Sequence, residues 1–415
     1  MQPGPRSPLT ESPSAARGAG PDFGRTEPGV APGAAGATGD RRSASGRPAA
    51  GLVPHKRLDG LDVVRAVAIL MVLFGHGSEH ASPPAWFKFV FAPLGSVGVE
   101  LFFVLSGFLI GGIIIQALDR GQFSRFKDVG RFWARRWMRT LPLYYVFLLV
   151  WLRLDWRGPF SPLDHLEYFV FAQNLFTPTP PFFELSWSLA VEEWFYLLFP
   201  LPLLALVATL PARRAFIVTT LLFILVPLAA RLSVALGPAP TDLFGAIRLP
   251  VAFRFDAIMY GVIVAAIRSW QPDIFRQMVR LFPLALALFA GLLFYYWVWI
   301  HQSEPTVARV ALLFLVTPLV SALLLPGMSR LSLDRHKVAQ FFFRWTSTLS
   351  YSMYLGHIIV IILVNRFLMQ HGLGFIHDTW WLAYPLFGVL FYALAFVTYS
   401  LIERPFLSLR DRLVP

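Results

Sequence analysis

The sequence contains no cysteine, and that absence removes three kinds of chemistry at once. No disulfide can form, no thiolate can ligate a metal, and no cysteine can act as a covalent nucleophile. Charge is also scarce: only 14% of the residues are Asp, Glu, Lys or Arg, against roughly a quarter in a soluble domain. A chain that is 56% hydrophobic has lipid as its main solvent. The formal net charge of +12 does not imply a nucleic-acid partner, because the basic residues are scattered between apolar runs rather than gathered on one hydrophilic domain. The first 55 residues lack any sustained apolar stretch. They are rich in Pro, Gly, Ala and Ser and include six arginines, which predicts a disordered cytoplasmic tail and not a secretory signal.

Beyond the tail, ten segments approach the length of about 20 apolar residues that a bilayer-crossing helix needs: 61–80, 94–117, 139–153, 186–207, 215–236, 246–267, 281–300, 308–325, 346–368 and 380–402. The apolar stretch 165–176 competes for an eleventh span, and charge decides between the two counts. With ten spans, 27 of the 36 Lys and Arg residues fall in the tail and in alternate loops on one side, whereas the opposite loops hold Lys88, Arg157 and little else. Basic residues concentrate on the cytoplasmic side of membrane proteins. The expected fold is therefore all-α, a polytopic bundle of about ten transmembrane helices in the cytoplasmic membrane of the cell. Both termini are expected to be cytoplasmic, with the membrane domain over 56–406 and a short tail over 407–415. Residues 154–185 are expected outside, with a helix in or dipping into the interface. No internal repeat is visible.

Ionisable residues at bilayer depth are costly and mark function. Arg65 and His76 stand eleven positions apart, which at about 100° per residue returns to nearly the same helical face, roughly 16 Å further along. Arg65 falls near the cytoplasmic end and His76 in the outer half, an arrangement that suits holding an anion below while proton transfer occurs above. A packing histidine and a snorkelling arginine would read the same way. Glu100 enters the second span at a depth similar to His76 and is a candidate to orient it, with Glu79 as a rival. Arg131, Arg135, Arg136 and Arg139 crowd the loop before the third span with aromatics between them. Guanidinium forks bind phosphate oxygens in pairs, although contact with anionic lipid explains the same cluster. Glu192 and Glu193 lie in the outer half of the fourth span, Arg254 and Asp256 in the sixth, where ion pairing is as good an explanation as catalysis, and His357 lies near the middle of the ninth.

Taken in order, these elements resemble the acyltransferase-3 family of integral membrane O-acyltransferases over about 58–406. The matching pieces are Leu58-Asp-Gly-Leu61 followed by Arg65 and His76, Ser106-Gly-Phe-Leu-Ile110, and the Arg131 to Pro142 stretch. Trp187-Ser-Leu-Ala-Val-Glu-Glu193, Ser350-Tyr-Ser-Met-Tyr-Leu355 with His357, and Ile402-Glu-Arg-Pro-Phe406 complete the set. The insertion-like Asp62-Val-Val before Arg65 and Gly356 before His357 depart from the family pattern. The resemblance implies transfer of an acyl group, typically acetyl, from acyl-coenzyme A on the cytoplasmic side to a hydroxyl of a surface or lipid-linked carbohydrate or glycosylated small molecule. Acyl-coenzyme A is a co-substrate in that picture, with no permanently bound cofactor and no metal. It makes His76 the base or acyl relay and Glu100 its orienting acid, with Arg65, Arg131, Arg135, Arg136 and Arg139 facing the coenzyme A phosphates. Ser106, Trp187, Glu192, Glu193, Arg254, Asp256, Tyr354 and His357 would bind substrate or support the site. Ten spans with buried charge also suit a transporter or flippase for a lipid-linked sugar, and a membrane scaffold is a third class.

Overall fold

A computed structural model describes residues 58–80, 83–154, 165–178, 182–237, 242–302 and 306–414, with side chains throughout except at 79–80, 235–236 and 299–302. The tail expected over 1–55 lies outside these residues, as does the side chain of Glu79. No strand occurs among the described residues. The helices are, in order, α1 (Asp59–His80), α2 (Ala85–Phe91), α3 (Leu94–Asp119), α4 (Phe126–Arg153), α5 (Leu166–Phe169), α6 (Ser186–Leu198), α7 (Pro200–Val207), α8 (Ala212–Leu236) and α9 (Leu243–Arg248). A 3₁₀ turn (Val251–Phe253) then leads to α10 (Phe255–Trp270), α11 (Pro272–Arg280), α12 (Phe282–Gln302), α13 (Val307–Met328), α14 (Lys337–Gln370), α15 (Gly374–Asp378) and α16 (Trp380–Thr398). A π-helical turn (Tyr399–Glu403) joins α16 to α17 (Arg404–Leu413).

The protein is a polytopic membrane helical bundle, but not with ten equivalent spans. Seven helical stretches are long and apolar enough to cross a membrane, and an eighth is formed by α11 and α12 if that pair, bent by 62°, makes one span. Two expected spans fail the same test for visible reasons. Segment 139–153 is the second half of α4, a 28-residue helix whose first half carries the arginines. Segment 246–267 is not continuous: α9 ends at Arg248, Pro250 follows, and only the 16 residues from Phe255 form α10. Proline lacks the N–H that a continuing helix would need and disfavours helical geometry in the residue before it. The competing stretch 165–176 holds only the four-residue α5, far short of a span. The tail expected over 407–415 is helical through Leu413.

Two close approaches set the centre of the bundle. Helices α3 and α10 run parallel, tied at one end by Arg254 and Glu100 and at the other by the indole of Trp270, which donates to the Asp119 carboxylate at 3.2 Å. Between these ties the backbones nearly touch. A Cβ at Gly107 would collide with the Ile258 carbonyl, and one at Gly261 with the Val104 carbonyl. In lipid, helices gain by packing backbones closely rather than by excluding water, so small residues belong at such crossings.

Helices α1 and α14 form a second seam. At its lower end Arg344 donates to Asp59 Oδ1 at 2.8 Å, and the Ser347 hydroxyl donates to Asp62 at 2.7 Å. The departure at Asp62 from the family pattern therefore has a partner across the seam. Asp59 also accepts from the Leu333 amide at 3.0 Å and from the Gln340 amide nitrogen at 2.9 Å, so one carboxylate joins three parts of the chain.

Because the obstructing atoms at the α3–α10 crossing are backbone carbonyls, a larger residue there has no side chain to push aside. Gly261→Leu should cost on the order of 1–3 kcal/mol or more. Its expected outcome is a lower melting temperature of the detergent-solubilised protein, or loss of the monodisperse peak in gel filtration. Gly291→Leu, where an added Cβ meets nothing within 4 Å, should leave both unchanged.

Candidate active site

The arginines of α4 divide between two neighbourhoods. Arg136 and Arg139, with Thr140 beside them, line a cavity, while Arg131 and Arg135 do not. Arg131 is exposed. Arg135 turns to α17, donating to the Val414 carbonyl and standing 3.6 Å from Asp411. The four arginines expected as one phosphate-binding group are thus two, completed by Arg65 of α1, which lines the same cavity.

The cavity encloses about 880 Å³, including the part open to the outside. Its charged wall is Arg65, Arg136 and Arg139, and its apolar wall comes from Phe102, Phe103 and Leu105 of α3. Beside the arginines, the Ser106 and Tyr196 hydroxyls are 2.5 Å apart, and Tyr196 donates to Glu192 Oε2 at 3.1 Å. The Arg136 guanidinium lies 5.7 Å from the centroid of the Tyr196 ring. Glu193, one residue on, points away and accepts from the Thr140 hydroxyl at 2.7 Å. The adjacent acids, expected in the outer half of their span, therefore stand beside the arginines of α4: Glu192 lines the cavity and Glu193 ties α6 to α4.

Glu403, within the stretch Ile402 to Phe406, has a place in the fold that its sequence context does not reveal. It is buried in the π-helical turn, where it accepts from the Ser352 hydroxyl at 3.1 Å. Single π turns insert one extra residue into a helix and recur at functional sites. The π geometry could not be read from the sequence; an acid two residues before Pro405, at the end of an apolar span, was the available signal.

At the upper end of the cavity, the Tyr354 and Ser188 hydroxyls are 2.6 Å apart. Tyr354 leads directly to the histidines. The ring nitrogen Nδ1 of His357 is 2.8 Å from the Tyr354 carbonyl and 3.2 Å from that of Met353, and its Nε2 is 3.0 Å from Nδ1 of His76. His357 is buried and His76 half-buried. A carbonyl only accepts, so Nδ1 of His357 must carry a proton. With both rings neutral, Nε2 of His357 is then an acceptor, Nδ1 of His76 is the donor, and the lone pair of His76 is placed on Nε2. The chain of hydrogen bonds sets the tautomer of the second ring from a backbone carbonyl of the first.

Glu100, expected to orient His76, does not touch it. Its Oε1 is taken by Arg254, both side chains being fully buried, and its Oε2 has no hydrogen-bond partner among the described residues. Asp256 does not pair with Arg254 either, as it receives Arg231 of α8 at 2.5 and 3.2 Å. Arg231 was missed in the sequence, although a lone arginine in the fifth apolar segment signals a buried acid elsewhere. The physical reason for the exchange is strength: a guanidinium neutralises a carboxylate in a low-dielectric interior, whereas a neutral imidazole only hydrogen-bonds to it. Trp187 is buried beneath the guanidinium of Arg248 at 4.8 Å.

A bundle of membrane helices with an arginine-lined cavity, and with a hydrogen-bonded imidazole pair one helical turn from its Tyr354, defines an integral membrane protein with a polar site between its helices. The chain belongs to the acyltransferase-3 family, whose sequence profile, described as an acyltransferase domain, matches residues 58–400. It is similar to the O-acetyltransferase OatA of Staphylococcus aureus, at 27% identity over 354 residues, covering 75% of this chain and 52% of that one. It is also similar to YrhL of Bacillus subtilis, at 33% over 165 residues, and to the peptidoglycan O-acetyltransferase OatA of Listeria monocytogenes, at 30% over 164 residues. These two similarities each cover 35% of this chain and 24% of the relative. The chain spans about half the length of the curated relatives it matches, or less. No solved structure matches it.

Removing one member of a buried pair strands the other. Glu100→Met alone should destabilise the protein by about 3–5 kcal/mol, and Glu100→Met with Arg254→Met should recover most of the loss. The check is thermal unfolding of the three proteins in detergent. Equal melting temperatures for the single and double variants would show that the pair does not act as a unit.

Proposed function

We propose that this protein is a membrane O-acyltransferase that moves an acetyl group from acetyl-coenzyme A to a hydroxyl of a cell-surface glycan of the peptidoglycan type. The observation that carries the reading is the juxtaposition of the arginine-lined cavity with the His76–His357 pair, joined through Tyr354. The similarity to proteins named as peptidoglycan O-acetyltransferases supports the class of acceptor.

In this reading Arg65, Arg136 and Arg139 hold the phosphates of the donor from the side where basic residues are concentrated, the cytoplasmic side by the positive-inside rule. Guanidinium forks match phosphate oxygens in geometry as well as charge. The apolar wall of α3 receives the pantetheine arm, directing the thioester toward Tyr354 and the histidines.

A sugar hydroxyl has a pKa far above neutrality and attacks a thioester slowly unless a base removes its proton in the transition state. Nε2 of His76 takes that proton as the hydroxyl oxygen bonds to the thioester carbon. The tetrahedral intermediate collapses with cleavage of the carbon–sulfur bond, and the departing thiolate recovers the proton from His76. When His76 becomes an imidazolium, its Nδ1–H to Nε2 of His357 becomes a charge-assisted hydrogen bond, stronger than the neutral one. His357 therefore favours the transition state over the ground state, which is what accelerates chemistry.

The test uses wild type, His76→Ala and His357→Ala at equal membrane abundance in a host lacking related activity. Surface glycans are analysed by mass spectrometry for added acetyl mass, and purified proteins for thiol release from acetyl-coenzyme A. His76→Ala should lose at least a hundredfold in rate, within the range general-base catalysis contributes, and His357→Ala should fall at least tenfold. Wild-type levels of acetylation in His76→Ala would overturn the mechanism. Sugar translocation without thiol release from the wild type would favour a transporter.

A further inference from the structure

We propose that Arg248 binds an anionic group of the acceptor, a carboxylate or a phosphate, at the end of the bundle opposite the arginines of α4; that the ligand is the acceptor rests on the transferase reading above. Arg248 is the last residue of α9, just before the break at Pro250. The Asn174 side chain fixes the backbone there, donating to the Leu249 carbonyl at 2.7 Å and to the Trp187 carbonyl at 3.1 Å, while the Val251 amide donates back to the Asn174 carbonyl at 2.8 Å. Arg248 is therefore carried by a braced turn.

The guanidinium lies 4.8 Å from the ring centroid of Trp187 and 5.5 Å from that of Phe244. Aromatic rings pack against the flat faces of a guanidinium and leave its N–H groups, which radiate in the plane, to bind something else. Among the described residues nothing takes them: Arg248 makes no ion pair, and its Nε is buried without a hydrogen-bond partner. The nearby acid, Glu100, is already held by Arg254, whose own Nε and Nη1 are likewise buried without partners. Two guanidinium groups thus share one carboxylate in the interior of a membrane protein, where a net cation is costly unless an anion joins it. Arg248 is only partly buried, so an anion can reach it.

The position separates this site from the donor cavity. Arg248 does not line the cavity that holds Arg65, Arg136 and Arg139, yet it lies within electrostatic reach of the Tyr354 hydroxyl, on the residue whose carbonyl fixes His357. An anion held by Arg248 would bring an attached sugar to the histidines from the face opposite the donor. Stacking alone needs no charge, so a purely structural Arg248 would be replaceable by methionine.

The test measures binding by the full-length protein in detergent without acyl-coenzyme A. Three probes are compared: the neutral methyl glycoside of N-acetylglucosamine, the same sugar bearing a lactyl carboxylate, and the same sugar on a prenyl diphosphate. Wild type should bind at least one charged probe at least tenfold more tightly than the neutral one, and which one identifies the anion. Arg248→Met should lose that preference while its affinity for the neutral probe stays within about threefold of wild type. Arg248→Lys should keep most of the preference, which separates lost charge from lost folding. Absence of a charge preference in wild type, or an equal preference in Arg248→Met, would overturn the proposal. Charge-selective binding by wild type without any acetyl transfer would count against the transferase reading and leave the anion site standing.

Discussion

Inside a bilayer a charged side chain must find a partner within the protein, because neither water nor counterion is at hand. The Glu100–Arg254 pair meets that requirement between α3 and α10, and Arg231–Asp256 meets it between α8 and α10. Both pairs converge on the start of α10, the segment whose helix is interrupted by Pro250 and begins again at Phe255. The glycine contacts below then have a fixed point from which to pack. With those acids committed to guanidinium groups, Glu100 does not orient His76, whose Nδ1 meets the imidazole of His357.

Most of the architecture was legible because lipid imposes a simple code. Apolar length marks a span, and basic residues gather at its cytoplasmic side. That code failed where one segment answers to two demands. Helix α4 is apolar in its second half and basic in its first, and its arginines divide: Arg136 and Arg139 line the cavity while Arg131 and Arg135 do not. Arg135 and Arg139 stand one helical turn apart, so spacing alone does not divide them; the contact of Arg135 with Val414 and Asp411 does. The division of segment 246–267 was signalled by Pro250, a single residue outweighed by the hydrophobicity around it.

The site was legible in its components more than in its pairings. Arg65, Arg136, Arg139, Ser106 and Glu192 do meet at one cavity, and Tyr354 links it to His357. Depth along a helix is readable from sequence position, which placed Glu100 near His76. Azimuth relative to another helix is not readable without knowing the crossing, and there the Glu100 pairing was misread. Tyr196 lies one helical turn after Glu192 and Ser188 one turn before it, so the polar face of α6 was available from spacing alone. Arg231 and Glu403 stand out only when every intramembrane charge is required to have a partner.

The seam between α1 and α14 is fastened near one end by Asp59–Arg344 and Asp62–Ser347 and further along by His76–His357. Adjacent residues on a helix are about 1.5 Å apart along its axis, so an axial slip of one helix past the other by a single residue would distort the hydrogen bond between the imidazoles. The carboxylates at the lower end thus work as a vernier: they set, from several helical turns away, the alignment on which the contact between the imidazoles at the other end depends. The placement of the two imidazoles inherits its precision from polar contacts near the start of α1.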